Sequence, residues 1–178
     1  MYRTVLFAAV AWMMYGCGSP KTPPVDVAQE KAAIKSLIRY FHLAYETRDQ
    51  SALEKLFSTS AEMMWFGTDS AEVIRSIPAW EGQMKNDWEL FDSFRTGEVR
   101  NLSIQVSGDG EFASAVWEVP AVVKVGGKES ASLFRFGGGL KKENGHWRFT
   151  QGLAAVATVG QSSAELVAKM KAPKPGKK

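Results

Sequence analysis

Arg135 is the most informative charged side chain of this 178-residue sequence, because it stands between Phe134 and Phe136 in a strand-like run. Its neighbours on the same strand face, Ala131, Leu133 and Gly137, are small or apolar. A guanidinium in such a setting needs a carboxylate or a ligand anion, since an unpaired buried charge is strongly unfavourable. Strand geometry offers Glu118 and Asp69 as partners. The functional alternative is that Arg135, with Trp65, Trp117 and Gln151, lines the mouth of a pocket and binds a small polar or anionic ligand. Asp69 follows the apolar run Met63-Met64-Trp65-Phe66 and is the candidate general base, because a carboxylate walled by two aromatic rings is held above the usual carboxylate range. The plainer alternative is a turn acid after Gly67-Thr68. Tyr45, at the end of a helical apolar stripe, is the candidate charge-stabilising partner. His42, at the border of that stripe, reads as a partly buried structural histidine, and His146, after Asn144-Gly145, as a solvated one. No Gly-x-Ser-x-Gly motif is present.

Composition narrows the chemistry further. With 45% hydrophobic and 23% charged residues the chain has the make-up of one ordinary globular domain, long enough to bury a core. One cysteine, Cys17, excludes an internal disulfide framework and a cysteine-rich zinc site, and two histidines argue against a multi-histidine metal centre. No cofactor is called for. The formal charge of +3 belongs to the ends: subtracting Arg3 and the lysines at 169, 171, 174, 177 and 178 leaves −3 for the body. A nucleic-acid partner needs a basic stripe on that body, and there is none.

Cys17 acquires a role from its surroundings. Residues 1–16 carry Arg3 and then an uncharged apolar stretch from Val5 to Tyr15, a signal-peptide pattern too short to span a bilayer. Met14-Tyr15-Gly16-Cys17 resembles the lipobox of bacterial lipoproteins, with Met14 where leucine is usual. The resemblance implies acylation of Cys17, and Gly18 in place of aspartate implies an outer-membrane lipoprotein facing the periplasm. The other reading is a plain secretory signal with a stray cysteine. Residues 17–24, rich in Gly, Ser and Pro, form a linker between lipid and domain.

The elements that must position these residues follow from periodicity. Asp26 with Gln29 opens a helix whose apolar positions are Ile34, Leu37, Ile38, Phe41 and Tyr45. Ser51 with Glu54 predicts a capping box for a short second helix ending near Ser58. Pro78 starts a third, with Trp80, Met84, Trp88 and Phe91 on one face. From Val99 the period changes to that of strands: 99–106, 112–125, 128–142 and 146–158, separated by Gly-Asp, Gly-Gly and Asn-Gly turns, predict an antiparallel meander. Along the second of these, Ala113, Ala115, Trp117, Val119, Ala121 and Val123 share a face, and the small residues among them suit a curved, hollow sheet. Gly137-Gly138-Gly139 marks a bend or bulge. Ser162 with Glu165 opens a last helix before a basic tail, so that 25–160 is the domain and 161–178 its helical and disordered end. Helices followed by a meander make an α+β fold.

The order of elements, Trp65-Phe66-Gly67-Thr68-Asp69 and the hairpin Leu140-Lys141-Lys142-Glu143-Asn144-Gly145-His146-Trp147-Arg148-Phe149 together resemble the SnoaL-like branch of the nuclear transport factor 2-like superfamily. That resemblance implies a cone: a strongly curved antiparallel sheet of four to six strands closed by about three N-terminal helices, with a short C-terminal helix. It also implies a homodimer through the outer sheet face. Where relatives carry His-x-His this chain has Gln151 and Leu153, and there is no Trp-x-Gly after the Gly-Thr-Asp segment. These departures favour a small-ligand-binding or interaction domain over the alternative, an isomerase- or dehydratase-like enzyme using Asp69 with Arg135 or Tyr45.

Overall fold

Asp26 caps the first helix: its carboxylate accepts from the backbone N–H groups of Ala28 and Gln29 at 3.1 and 3.0 Å, two of the donors a first turn leaves open. The computed structural model describes residues 24–59 and 61–171. The 1–16 leader, Cys17, most of the 17–24 linker and the tail from 172 lie outside the described residues. Helix α1 runs Val27–Glu46 and buries Ile34, Ile38, Phe41, His42 and Ala44, so the predicted stripe is its inner face. Helix α2, Gln50–Glu54, is capped by Asp49, whose carboxylate accepts from Ala52 N at 2.9 Å. The Ser51 capping box is thereby corrected, since the helix starts two residues earlier and Asp49 takes the cap.

The remaining elements are β1 (Met64–Phe66), β2 (Val73–Ile74), α3 (Ile77–Leu90), β3 (Ser93–Thr96), β4 (Arg100–Val106), β5 (Phe112–Val125), β6 (Lys128–Glu143), β7 (His146–Val156) and α4 (Ser163–Lys171). Asn144 and Gly145 both take positive φ, 51° and 80°, the geometry a tight hairpin turn between twisted strands requires. The long strands lie within about two residues of their predicted limits. Among the described residues the sheet has seven strands in the order β2-β1-β7-β6-β5-β3, with β4 also on β5. It is not purely antiparallel: β1 pairs in parallel with β7, Trp65 opposite Gly152. The glycine run ends at a register irregularity between Gly139 and Leu140, as predicted.

The inner face carries the core. Ala115, Trp117, Val119 and Ala121 of β5 are buried, and Trp65 lies against Gly152 so closely that a Cβ there would meet its ring at 2.3 Å. The outer face carries a different row. Val73, Phe66, Leu153, Gly137 and Val116 follow one another in register across five strands, and all four of the large side chains are exposed.

Helix α1 is fixed across the inner face at both ends. In its first turn Glu30 accepts from Lys142 Nζ at 2.5 Å and from Trp147 Nε1 at 2.8 Å; at its last residue Glu46 accepts from the backbone N–H and hydroxyl of Thr96 at 2.9 and 3.0 Å. Between these anchors Phe41, His42 and Tyr45 are held over the concave sheet. Helix α4 buries nothing; its start is fixed by the predicted Ser162–Glu165 box, with Ser162 Oγ donating to Glu165 at 2.5 Å.

Candidate functional site

Helices α1 and α3, the turn between β1 and β2 and the inner faces of β3, β5, β6 and β7 line a cavity of about 170 Å³. Phe41, Trp65, Trp80, Phe94, Phe134 and Phe136 contribute aromatic walls, and Ile74, Met84, Val123 and Ala154 fill between them. The polar lining is His42, Tyr45, Thr68, Glu72, Gln83 and Asp87. A concave, mostly apolar space with a few convergent polar groups is the usual form of a small-molecule site.

Four of those polar groups form one network. Tyr45 Oη donates to Asp87 Oδ2 at 2.9 Å; Gln83 Nε2 donates to Asp87 Oδ1 at 2.9 Å and to Glu72 Oε1 at 3.2 Å. Burial holds the Asp87 carboxyl above its ordinary range, and the charge of Glu72 adds to the rise, while the bonds from Tyr45 and Gln83 work against it. Burial, followed by the Asp87 charge, pushes the Tyr45 hydroxyl up as well. Among the described residues no Lys or Arg makes an ion pair with Glu72 or Asp87. The two acids are therefore bridged by a neutral amide on the wall of the cavity.

His42 is set into the wall rather than into the network. Its Nε2 accepts from Trp117 Nε1 at 2.8 Å, so the neutral ring carries its proton on Nδ1. Burial lowers its pKa to about 4. Trp117 stacks on Phe136 with ring centroids 5.3 Å apart and takes no part in the lining; it holds the histidine from behind.

Of the sequence-derived candidates, Tyr45 and Trp65 line the cavity, and the rest do not. Arg135 projects from the outer face with its side chain 62% exposed and pairs with Glu118 at 2.7 Å. Strand alternation explains the correction: the flanking Phe134 and Phe136 take the core, and Ala131, Leu133 and Gly137 are small or apolar without being inside. Gln151 is exposed and lies over Gly139 on β6. With Arg135 outside, no cationic side chain among the described residues lines the cavity, and the support for an anionic ligand falls away.

Asp69 is exposed, and its Oδ1 accepts from Ala71 N at 2.9 Å, capping a surface turn. The segment borders the cavity, but through a different acid. Glu72, three positions on, reaches back to accept from Asp69 N at 3.0 Å and supplies the carboxylate of the lining. Gln83 and Asp87 escape a reading of the sequence because the apolar series Trp80, Met84, Trp88 masks them. Their spacing is the available signal, since 80, 83, 84 and 87 share one helix face.

Among the described residues no group of three His, Cys, Asp or Glu could hold a metal ion, and no helix is long and apolar enough to cross a membrane. No curated protein matches the chain significantly. Solved structures share its fold at low identity. A hexachlorocyclohexane dehydrochlorinase from Novosphingobium barchaimii LL02 superposes with a TM-score of 0.64 at 14% identity, covering 74% of this chain and 88% of the other. A provisionally assigned scytalone dehydratase from Novosphingobium aromaticivorans DSM 12444 gives 0.63 at 14%, over 74% and 86%. A nuclear transport factor 2-like protein of unknown function from Pseudomonas putida KT2440 gives 0.62 at 17%, over 75% and 90%. The SnoaL-like domain family matches residues 34–158, which span α1 to the end of β7. With that match, and a curved, open mixed sheet closed over an aromatic cavity, the chain belongs to the SnoaL-like domain family and has the nuclear transport factor 2-like fold.

Proposed function

We propose that this domain binds a small, largely apolar molecule in the cone cavity, orienting it with Tyr45, Asp87, Gln83 and Glu72. The observation that carries the reading is the enclosed aromatic space with one connected polar network on its wall. Intrinsic fluorescence tests it, because Trp65 and Trp80 line the space. A panel of small aromatic and alicyclic compounds is expected to contain members that change the emission saturably. Ala154→Leu, which fills the cavity from β7, is expected to weaken those members by about tenfold, roughly 1.4 kcal/mol. A panel without a binder, or equal binding by the variant, overturns the reading.

An enzyme is the second reading. Tyr45 and Asp87 form a tyrosine–carboxylate pair, the carboxyl is raised by burial, and two structural neighbours bear the names of a dehydratase and a dehydrochlorinase. Against proton abstraction stand the two oxygens of Asp87, each already accepting a hydrogen bond, and the placement of Asp69 on a surface turn.

For the segments outside the described residues, the proposal is a lipoprotein. Acylated Cys17 and the linker would tether the domain to the outer membrane on its periplasmic side. Palmitate labelling is expected to mark the parent and not Cys17→Ser; equal labelling of both sinks the lipid anchor. A homodimer through the outer sheet face is proposed with it, supported by the exposed row Val73, Phe66, Leu153 and Val116.

A further inference from the structure

We propose that the cavity selects a small organic cation, an ammonium or quaternary ammonium compound with a compact apolar body. This rests on the ligand-binding reading above and names the chemical class of its ligand. Two independent features of the wall point the same way. The first is the sign of its charge. Glu72 and Asp87 both line the space, and each is satisfied only by neutral donors: Asp69 N–H and Gln83 for Glu72, Tyr45 and Gln83 for Asp87.

Among the described residues no Lys or Arg lines the cavity. Arg48, the cation that acts on Tyr45, is exposed and directs its guanidinium to the backbone carbonyls of Phe91 and Asp92 at 2.7 and 3.2 Å. The carboxyl of Asp87 is driven up by burial and by Glu72, against the bonds from Tyr45 and Gln83, and the hydroxyl of Tyr45 by burial and by both acids, against the charge of Arg48, so the two acids together set a negative field on this wall. A ligand cation relieves that field, whereas an anion adds to it and a neutral molecule leaves it in place.

The second feature is the material of the remaining wall. Phe41, Trp65, Trp80, Phe94, Phe134 and Phe136 line the same space as the two acids. These rings meet one another mostly edge to face or tilted, as in Phe94 with Phe134 at 5.9 Å and 66° and Trp65 with Trp80 at 5.1 Å and 74°. Ring faces carry a negative quadrupole, which draws a cation to an aromatic-lined space. Aromatic faces attract a cation whose charge is spread over alkyl groups without the hydrogen bonds an oxygen-only site would require. An apolar body around the charge also suits the methylene and methyl lining from Ile74, Met84 and Val123.

The test compares choline with its uncharged carbon isostere, in which a tert-butyl group replaces the trimethylammonium, on the purified full chain. Titration calorimetry and tryptophan emission are the readouts. Choline is expected to bind about tenfold more tightly than the isostere. Glu72→Gln, checked by thermal melting for an intact fold, is expected to remove most of that advantage. The comparison on the unmodified chain stands by itself if the variant does not fold. Equal or tighter binding of the isostere overturns the cation assignment and leaves the cavity reading in place. Binding of neither compound also overturns the assignment; the panel of neutral compounds then decides the cavity reading separately.

Discussion

Replacing His42 with glutamine is expected to remove an acid-labile step of about 3 kcal/mol from the unfolding free energy. In the folded protein His42 is 5% exposed, packed against Phe41, Trp117 and Phe136, and its pKa falls from 6.5 to about 4 through burial alone. The unfolded chain takes up the proton near 6.5 and the folded chain does so only near 4. Stability is therefore complete above 6.5, declines as the pH falls through that window, and levels off below about 4. The substituted amide would keep an acceptor for Trp117 Nε1 and lose the titration. Asp87 works in the other direction: its raised carboxyl is protonated more readily in the fold, so falling pH favours folding through that group. Urea unfolding of both proteins at about pH 7 and about pH 4 separates the two effects, because Asp87 is common to both. If His42→Gln loses as much stability on acidification as the parent, the buried neutral histidine is not the cause.

Phe149→Ala is the costliest single substitution the architecture suggests, at about 4 kcal/mol. The side chain is fully buried, with the rings of Phe41, Phe57, Trp65 and Trp117 all centred within 6.2 Å. Its backbone is tied as well: Phe149 N donates to Leu56 O and its carbonyl accepts from Ser58 N, both at 2.8 Å. Those bonds hold the segment after α2 in place, so the site can collapse only a little around the missing ring and most of the void would persist. The same change at Phe112, which is 54% exposed, serves as the comparison and is expected to stay within about 0.5 kcal/mol. Urea midpoints that place the two variants together would contradict the role of Phe149 as the centre of the core.

The contrast between these two phenylalanines illustrates what can be read from the chain. Turns at Gly126-Gly127 and Asn144-Gly145 punctuate the meander, and local signals of that kind place the long strands to within about two residues. The α1 stripe is equally local. What escapes is either too short to show a period, as with β2 and β3, or set by distant parts of the chain, as with the parallel pairing of Trp65 and Gly152. The site divides in the same manner. Tyr45 and Trp65 are visible as members of apolar runs. Glu72 depends on how a turn folds back, and Arg135 on which of two alternating faces of β6 wins the core, a choice that Phe134 and Phe136 decide by their area.

The parallel contact between β1 and β7 also imposes an order of events. Phe57 bridges to Phe149 and Trp65 to Gly152, so the aromatic surface around α2 and β1 is covered only once the last long strand is in place. The meander of β5, β6 and β7 can zip locally through its tight turns, but closing the wall at β1 requires a loop that takes in most of the domain. From the length of that loop, this closure is expected to come late in folding. Until it occurs, the ring surface that later lines the cavity stands open to solvent, where association with other chains competes with completion of the fold.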